Sequence, residues 1–321
     1  MKISVIIPCY NEEQNINPFF KECLEVLKYN NYQFEYIFIN DGSTDNTLKE
    51  LKKLITNYPN SEINIINFSR NFGKEGAMLA GLKNCQGDYA VFIDSDLQQD
   101  PKYIVQMLKI LENNSNYDSV ACYQEKRKEN KFISFSKRMF YKTINNLSDT
   151  YFYHNASDFR CINRKMINAL IELKEYFRFS KGIFSWIRFN TYYMPYQVRE
   201  RLHGKTHWSM KSLIKYAING ITNFSTAPLK FATKIGIISF VLSIIYGIVI
   251  IIQKIFIGIN ISGYATIVCL ILLFGGLQMI FLGIIGEYLG KTYIETKKRP
   301  LYIIKDQIKT GAAKNAINQK I

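Results

Sequence analysis

Two uninterrupted apolar stretches near the C-terminus restrict the fold of this chain more than any other feature. Ile235 to Ile257 carries no charge until Lys254, and Tyr264 to Ile285 has Gln278 as its one strongly polar member. At 1.5 Å per residue each spans roughly 33 Å, enough to cross a hydrocarbon layer of about 30 Å. A buried core hairpin is the competing arrangement, and the length of both runs disfavours it. The linker from Gly258 to Gly263 is short, so the spans are expected to form a helical hairpin with both flanks on one side. Lys230 and Lys234 precede the first span, and Lys291, Lys297, Lys298 and Arg299 follow the second. The positive-inside rule then predicts that residues 1–210 and the tail 291–321 are cytoplasmic.

Composition fits this division. The chain has 321 residues and a formal net charge of +15. No zinc, helix-turn-helix or RNP motif accompanies the charge, so nucleic acid is not an expected partner. A basic surface facing anionic lipid is. The six cysteines are scattered, with no CxxC, and read as free thiols of a reducing compartment. The apolar run Ile3 to Ile7 is too short for a signal peptide and reads as a strand.

Ahead of the hairpin, strand and helix patterns alternate. Ile3–Ile7, Tyr36–Ile39, Ile63–Ile66 and Tyr89–Ile93 are apolar runs with little alternation, as expected of strands buried on both faces. Helical patterns fall at Pro18–Leu27, Thr47–Ile55 and Glu75–Leu82. This order predicts an α/β domain with a mostly parallel sheet and right-handed crossovers. Within 126–147, seven basic residues interleave with Phe132, Phe135, Met139 and Phe140. That pattern suits an interfacial helix or an ordinary amphipathic core helix. A second amphipathic stretch, 211–231, leads into a membrane segment at 232–290 with spans near 235–257 and 264–285.

Polar clusters follow each strand pattern: Pro8-Cys9-Tyr10-Asn11-Glu12-Glu13, Asp41-Gly42-Ser43-Thr44-Asp45, Arg70-Asn71-Phe72-Gly73-Lys74 and Asp94-Ser95-Asp96. Parallel strands end at one edge, so these clusters converge where open α/β sheets bind ligands. No GxGxxG follows the first strand and no P-loop is present, which disfavours dinucleotides and P-loop phosphate binding. Asp94 and Asp96, two residues apart at a strand end, can face one hard cation, Mg²⁺ or Mn²⁺, bridging to a diphosphate. Asp41 and Asp45 could instead serve as turn and helix-cap residues. Asp158 and Arg160 could be a structural ion pair.

Together with Asp158-Phe159-Arg160, Arg201-Leu202-His203-Gly204-Lys205-Thr206 and Gly286-Glu287-Tyr288-Leu289-Gly290, these motifs resemble the family 2 glycosyltransferases. Within them they resemble the polyprenyl-phosphate group, which includes bactoprenol glucosyltransferases and dolichol-phosphate mannose synthases. The resemblance implies a GT-A, Rossmann-like nucleotide-sugar domain followed by a two-helix transmembrane hairpin, and covers nearly the whole chain. It implies that Pro8, Tyr10, Asn11, Glu12 and Ser43 line the nucleoside pocket and that Asp41 accepts from the base. Arg70 and Lys74 would lie near the donor. Asp94 and Ser95 would touch ribose or sugar, and Asp96, with Asp94, would hold the metal. Asp158 matches the proposed catalytic base, flanked by Arg160. Arg201, Lys205 and Thr206 match a loop expected to contact the diphosphate, and His207 departs from the Lys of many relatives.

The implied activity is inverting transfer of one sugar, glucose by resemblance, from a UDP-sugar to undecaprenyl phosphate at the inner face of the cell membrane. The product would serve cell-envelope glycan modification, such as that of lipopolysaccharide, and relatives suggest a tetramer. A processive polysaccharide synthase is the alternative enzyme, disfavoured by the lack of a QxxRW motif and by only two spans. A non-catalytic nucleotide-binding scaffold for a lipid-sugar flippase is the alternative of another class.

Overall fold

A computed structural model describes residues 1–28, 31–124, 153, 156–200, 222, 225–257 and 263–310. The four apolar runs form β1 (Lys2–Cys9), β2 (Gln33–Asn40), β3 (Glu62–Phe68) and β4 (Tyr89–Phe92). Between them lie α1 (Ile16–Leu27), α2 (Thr47–Asn57) and α3 (Lys74–Asn84), and α4 (Lys102–Asn113) follows β4. Then come β5 (Ser119–Gln124), β6 (Ala156–Asn163), α5 (Arg164–Glu172), α6 (Ser180–Trp186) and β7 (Thr191–Tyr196). Two long helices, α7 (Ala227–Ile257) and α8 (Tyr264–Thr296), precede β8 (Ile304–Lys309).

The eight described strands form one sheet in the order β7-β5-β6-β4-β1-β2-β3-β8. The β4-β1-β2-β3 core is parallel, whereas β6 runs antiparallel between β4 and β5. Alternate side chains enter two different cores, which is why the strands read as continuous apolar runs. Ile3, Val5, Ile7, Phe38 and Ile65 pack with Phe19, Phe20, Leu51 and Leu54 of α1 and α2. Ile6, Ile37, Ile39, Ile66 and Phe92 face Ala77, Met78 and Ala80 of α3 and Met166 and Ile167 of α5. The outcome is a helix–sheet–helix sandwich with the parallel strands ending at one edge.

Three boundaries differ from the sequence reading. Residues 304–309, within the stretch read as a C-terminal tail, belong to the sheet. They form β8, which pairs antiparallel with β3, Ile65 opposite Ile308 and Asn67 opposite Asp306. The short polar alternation of Ile-Lys-Asp-Gln-Ile-Lys gives an edge strand a weak signal. Both apolar helices also extend beyond their spans, to 31 and 33 residues. Residues 227–231 therefore open α7 rather than close a separate helix, and α8 continues past Glu287, because a polar residue does not stop a helix that keeps its hydrogen bonds. The interfacial pattern at 126–147 and the stretch 211–221 lie outside the described residues.

α7 and α8 hold windows with mean hydropathy of 2.9 and 1.4 that are 0% buried inside the protein. Phe240, Leu242, Phe256, Leu273 and Met279 project outward, each at least 60% exposed. Such contiguous apolar surface needs an apolar surrounding, which a bilayer supplies. The far end of α8 is tied to the sandwich, where Glu295 Oε1 accepts from the Tyr176 N–H at 2.8 Å.

Candidate active site

The loop after β1 and the loop after β2 are knitted together. The Asn11 N–H donates to Ser43 Oγ at 3.0 Å, and Asn11 Oδ1 accepts from the Thr44 N–H at 2.9 Å. Asn11 has φ of 56°, a left-handed value that asparagine tolerates better than most residues. The Glu12 N–H donates to Thr47 Oγ1 at 2.8 Å. Asp45 accepts from both the N–H and the hydroxyl of Thr47 at the start of α2, so it does act as a helix-end residue. Tyr10, next to Asn11 in the same loop, is 45% exposed.

Asp41 is different. It is buried, and its two carboxylate oxygens accept from the Phe72 N–H at 2.6 Å and the Gly73 N–H at 2.9 Å. Burial pushes its pKa up, and the two N–H donors and Arg70 pull against that shift. Each oxygen keeps a lone pair for one further donor. Gly42, at φ +63°, passes so close to the β3 loop that a Cβ would come 2.3 Å from the Arg70 carbonyl carbon. The Arg70 guanidinium lies 4.1 Å from the Phe72 ring centroid, and its Nη1 donates to Asn71 O at 3.0 Å.

Asp94 leaves the end of β4 and is held from two sides. Lys74 Nζ, at the first position of α3, lies 2.6 Å from Asp94 Oδ1. The Gln99 amide closes a ring with Asp94, its Oε1 accepting from the Asp94 N–H at 2.9 Å and its Nε2 donating to Oδ2 at 3.1 Å. Ser95 and Asp96 follow within the turn and are buried. Asp96 Oδ1 accepts from the Gln98 N–H at 3.1 Å. Leu97 takes φ of 62°, so the turn carries local backbone strain.

The antiparallel β6 brings the last carboxylate in. Its register sets Arg160 opposite Phe92, so Asp158 emerges beside the end of β4. Asp158 Oδ2 lies 3.4 Å from Lys74 Nζ, which thus bridges two carboxylates. Burial pushes the Asp158 pKa up, but the positive charges of Lys74, Lys181 and Arg160 win and hold it below the usual carboxylate range. Burial likewise disfavours the Lys74 charge, and Asp94 and Asp158 outweigh it, raising the lysine pKa. Asp158 and Arg160 make no ion pair within 4.0 Å.

Pro8, Tyr10, Asn11, Glu12, Asp41, Ser43, Arg70, Lys74, Asp94, Ser95, Asp96 and Asp158 thus gather along one sheet edge. Arg201, His203, Lys205, Thr206 and His207 lie outside the described residues. The chain leading to them is anchored at this edge, because the Arg199 N–H donates to Gln98 O at 3.0 Å and its guanidinium reaches Asp100 and Glu22. Glu75 and Gln99 belong to the stretches that resemble the family, but the sequence assigned no role to them or to Lys181. The Gln99 signal was present in its place beside the Asp94 turn. Glu75 accepts from the Ser180 N–H at 2.9 Å, and burial with the Asp158 charge raises its pKa. No local pattern marks Lys181, which α6 delivers from more than 20 residues past Asp158.

No group of three or more His, Cys, Asp or Glu able to hold a metal occurs among the described residues. The described residues thus offer no all-protein cage. They fit a hard cation held by one or two carboxylates and completed by substrate phosphates.

Comparison with known proteins agrees with this architecture. The glycosyl transferase family 2 profile matches residues 4–171, and that of the GtrB C-terminal hairpin matches residues 227–292. A putative glycosyltransferase of Bacillus subtilis, CsbB, is 41% identical over 95% of this chain and 91% of its own. A bactoprenol glucosyl transferase of Shigella phage SfV is 37% identical over 96% of this chain and 99% of its own. Among solved structures, the glucosyl-3-phosphoglycerate synthase of Mycobacterium tuberculosis aligns with a TM-score of 0.48 at 18% identity, over 69% of this chain and 78% of that one. Matched along nearly its whole length, soluble layers and apolar hairpin alike, the chain belongs to the glycosyl transferase family 2 and is a membrane-associated glycosyltransferase.

Proposed function

We propose that the protein transfers a single sugar, glucose, from UDP-glucose to undecaprenyl phosphate, or a related polyprenyl phosphate, at the cytoplasmic face of the cell membrane. The observation that carries the proposal is the joining of a carboxylate-rich sheet edge to an exposed apolar hairpin in one chain. The similar phage protein is a bactoprenol glucosyl transferase, which supports the acceptor class. The basic residues flanking the hairpin support the cytoplasmic orientation.

The loops carrying Pro8, Tyr10, Asn11, Glu12 and Ser43 bind the nucleoside, and Asp41 sets the shape of that pocket through the Phe72–Gly73 backbone. Asp96, assisted by Asp94, would hold Mg²⁺ or Mn²⁺, and the ion would supply positive charge that offsets the charge of the diphosphate leaving group. Arg201, Lys205 and Thr206 serve the same diphosphate. A phosphate monoester is largely ionised near neutral pH, its second pKa being about 6. The acceptor therefore needs positioning more than deprotonation. Asp158, kept ionised by Lys74, orients the sugar and stabilises positive charge at the anomeric carbon. Attack from the face opposite UDP gives inversion.

The test is a panel of radiolabelled nucleotide sugars with purified full-length protein, with and without polyprenyl phosphate and divalent cation. Label from UDP-glucose entering the organic phase only when acceptor and cation are present is the expected result. Label in an aqueous polymer, or no acceptor-dependent transfer with any donor, overturns the reading.

A further inference from the structure

Arg160 is a buried guanidinium that makes no ion pair within 4.0 Å among the described residues. It is 4% exposed, and its Cζ lies 3.7 Å from the ring centroid of Phe184 in α6. Among the described residues its one hydrogen bond is a long one, Nη2 to Ser157 O at 3.4 Å, and its buried Nε has no partner there. Burial lowers its pKa to about 10 despite the nearby Asp158. Asp158 itself is engaged by Lys74. A charged group taken out of water this far is normally compensated by an opposite charge.

The same guanidinium lines a cavity of about 20 Å³ whose wall also includes Lys181, Ser185, Thr191 and Tyr193. That volume admits one water-sized oxygen. Lys181 makes no ion pair among the described residues, so two cations, one of them buried, face a cavity whose described wall holds no carboxylate. Both lie close enough to Asp158 to depress its pKa. The cavity thus lies on the β6–α6 side near Asp158, and no residue of the Asp94–Asp96 turn lines it.

We propose that Arg160 and Lys181 form the subsite for the acceptor's phosphate monoester, with one phosphate oxygen seated in the cavity. This rests on the function proposed above. A donor diphosphate at the Asp96 turn and a second anion beside Asp158 would flank the sugar from opposite sides, as in-line displacement requires. A phosphate oxygen forms the bond to the anomeric carbon, the bond from that carbon to the UDP oxygen breaks, and its electron pair leaves with UDP. No proton transfer is needed.

The experiment uses full-length protein in lipid nanodiscs, with Lys181→Ala, Arg160→Lys and Arg160→Gln checked for unchanged melting temperature. Citronellyl phosphate and inorganic phosphate are the binding probes, UDP is the control ligand, and transfer kinetics are run with polyprenyl phosphate. In Lys181→Ala the KM for polyprenyl phosphate and the Kd for citronellyl phosphate should rise about tenfold or more, with UDP affinity within about twofold. Arg160→Lys should retain more acceptor affinity than Arg160→Gln. Should Arg160→Gln fail to fold, Lys181→Ala decides alone. Unchanged acceptor affinity in Lys181→Ala, or a loss confined to UDP, overturns the subsite. Binding of inorganic phosphate but not citronellyl phosphate overturns its assignment to the acceptor. Lysine-dependent binding of citronellyl phosphate without sugar transfer by the wild type upholds the subsite and overturns the proposed reaction.

Discussion

Lys74 Nζ stands between Asp94 Oδ1 at 2.6 Å and Asp158 Oδ2 at 3.4 Å, joining the end of β4 to the start of β6 with one positive charge. Without it two carboxylates would share a half-buried edge, and each would resist ionisation.

The first prediction concerns the pH dependence of that pair. Asp158 has a depressed pKa, so its charge is retained as pH falls below the usual carboxylate range, and lost only at the lower folded value. In Lys74→Met, burial is opposed by fewer positive charges, and the Asp158 pKa rises. The acidic limb of the kcat/KM profile should then move upward by about one pH unit or more, with activity near pH 7 falling about 100-fold. A variant that loses activity while its acidic limb stays in place would show that Lys74 serves the donor alone.

A second prediction separates two glycines. Gly42 has φ of +63°, and a Cβ there would meet Arg70 C at 2.3 Å and Asn71 N at 2.5 Å, both backbone atoms. Gly73 has φ of +91° but nothing within 4 Å of an added Cβ. Gly42→Ala combines dihedral strain with overlap and should cost roughly 2–5 kcal/mol, whereas Gly73→Ala should cost roughly 1–3 kcal/mol from strain alone. Thermal or chemical unfolding of the two variants checks the order. Gly42→Ala should also weaken UDP binding, because the collision pushes the Arg70–Gly73 loop off Asp41.

The contrast between these loops and their surroundings marks what the sequence could tell. β1 to β4 were legible because each fills two cores, so its apolar run is unbroken; Ile6 and Ile7 face opposite layers and both are fully buried. The converging clusters followed from parallel topology. β6 was not legible as antiparallel, since nothing local in Ala156–Asn163 states its direction, and Asp158 entered through resemblance. Lys181 reaches the site only through tertiary folding of α6. β8 was hidden because an exposed edge strand lacks the apolar excess that signals a core strand.

The third prediction follows from β8. Tyr302 stacks on Phe68 with ring centroids 5.1 Å apart, and Gln307 Nε2 donates to Asn64 Oδ1 at 2.9 Å. Stopping the chain after Arg299 would expose the β3 edge and leave Phe68 without its cover. The truncated protein should still enter the membrane fraction through α7 and α8. Its catalytic domain should become protease-sensitive and prone to aggregate. Tyr302→Ala should lower stability by about 2 kcal/mol without removing β8. Equal protease resistance of truncated and full-length chains would mean that β8 is dispensable to the sheet.

The fourth prediction concerns how the cation is held. Asp94 is bound by Lys74 and Gln99, Asp96 lies buried in the adjoining turn, and no three-donor cluster exists among the described residues. A cation with so few protein oxygens must draw the rest of its coordination from the diphosphate and water. Protein alone should therefore bind Mn²⁺ weakly, with a Kd on the order of millimolar, and UDP should tighten it about tenfold or more. By linkage Mn²⁺ should tighten UDP by the same factor. EDTA should abolish transfer, with activity restored by added Mn²⁺ or Mg²⁺, while the melting temperature stays unchanged. Asp96→Asn keeps the shape of the turn and removes the charge, so the UDP–Mn²⁺ coupling should collapse in that variant. Full transfer after exhaustive chelation, or equal coupling in Asp96→Asn, would show that Asp96 holds no catalytic cation.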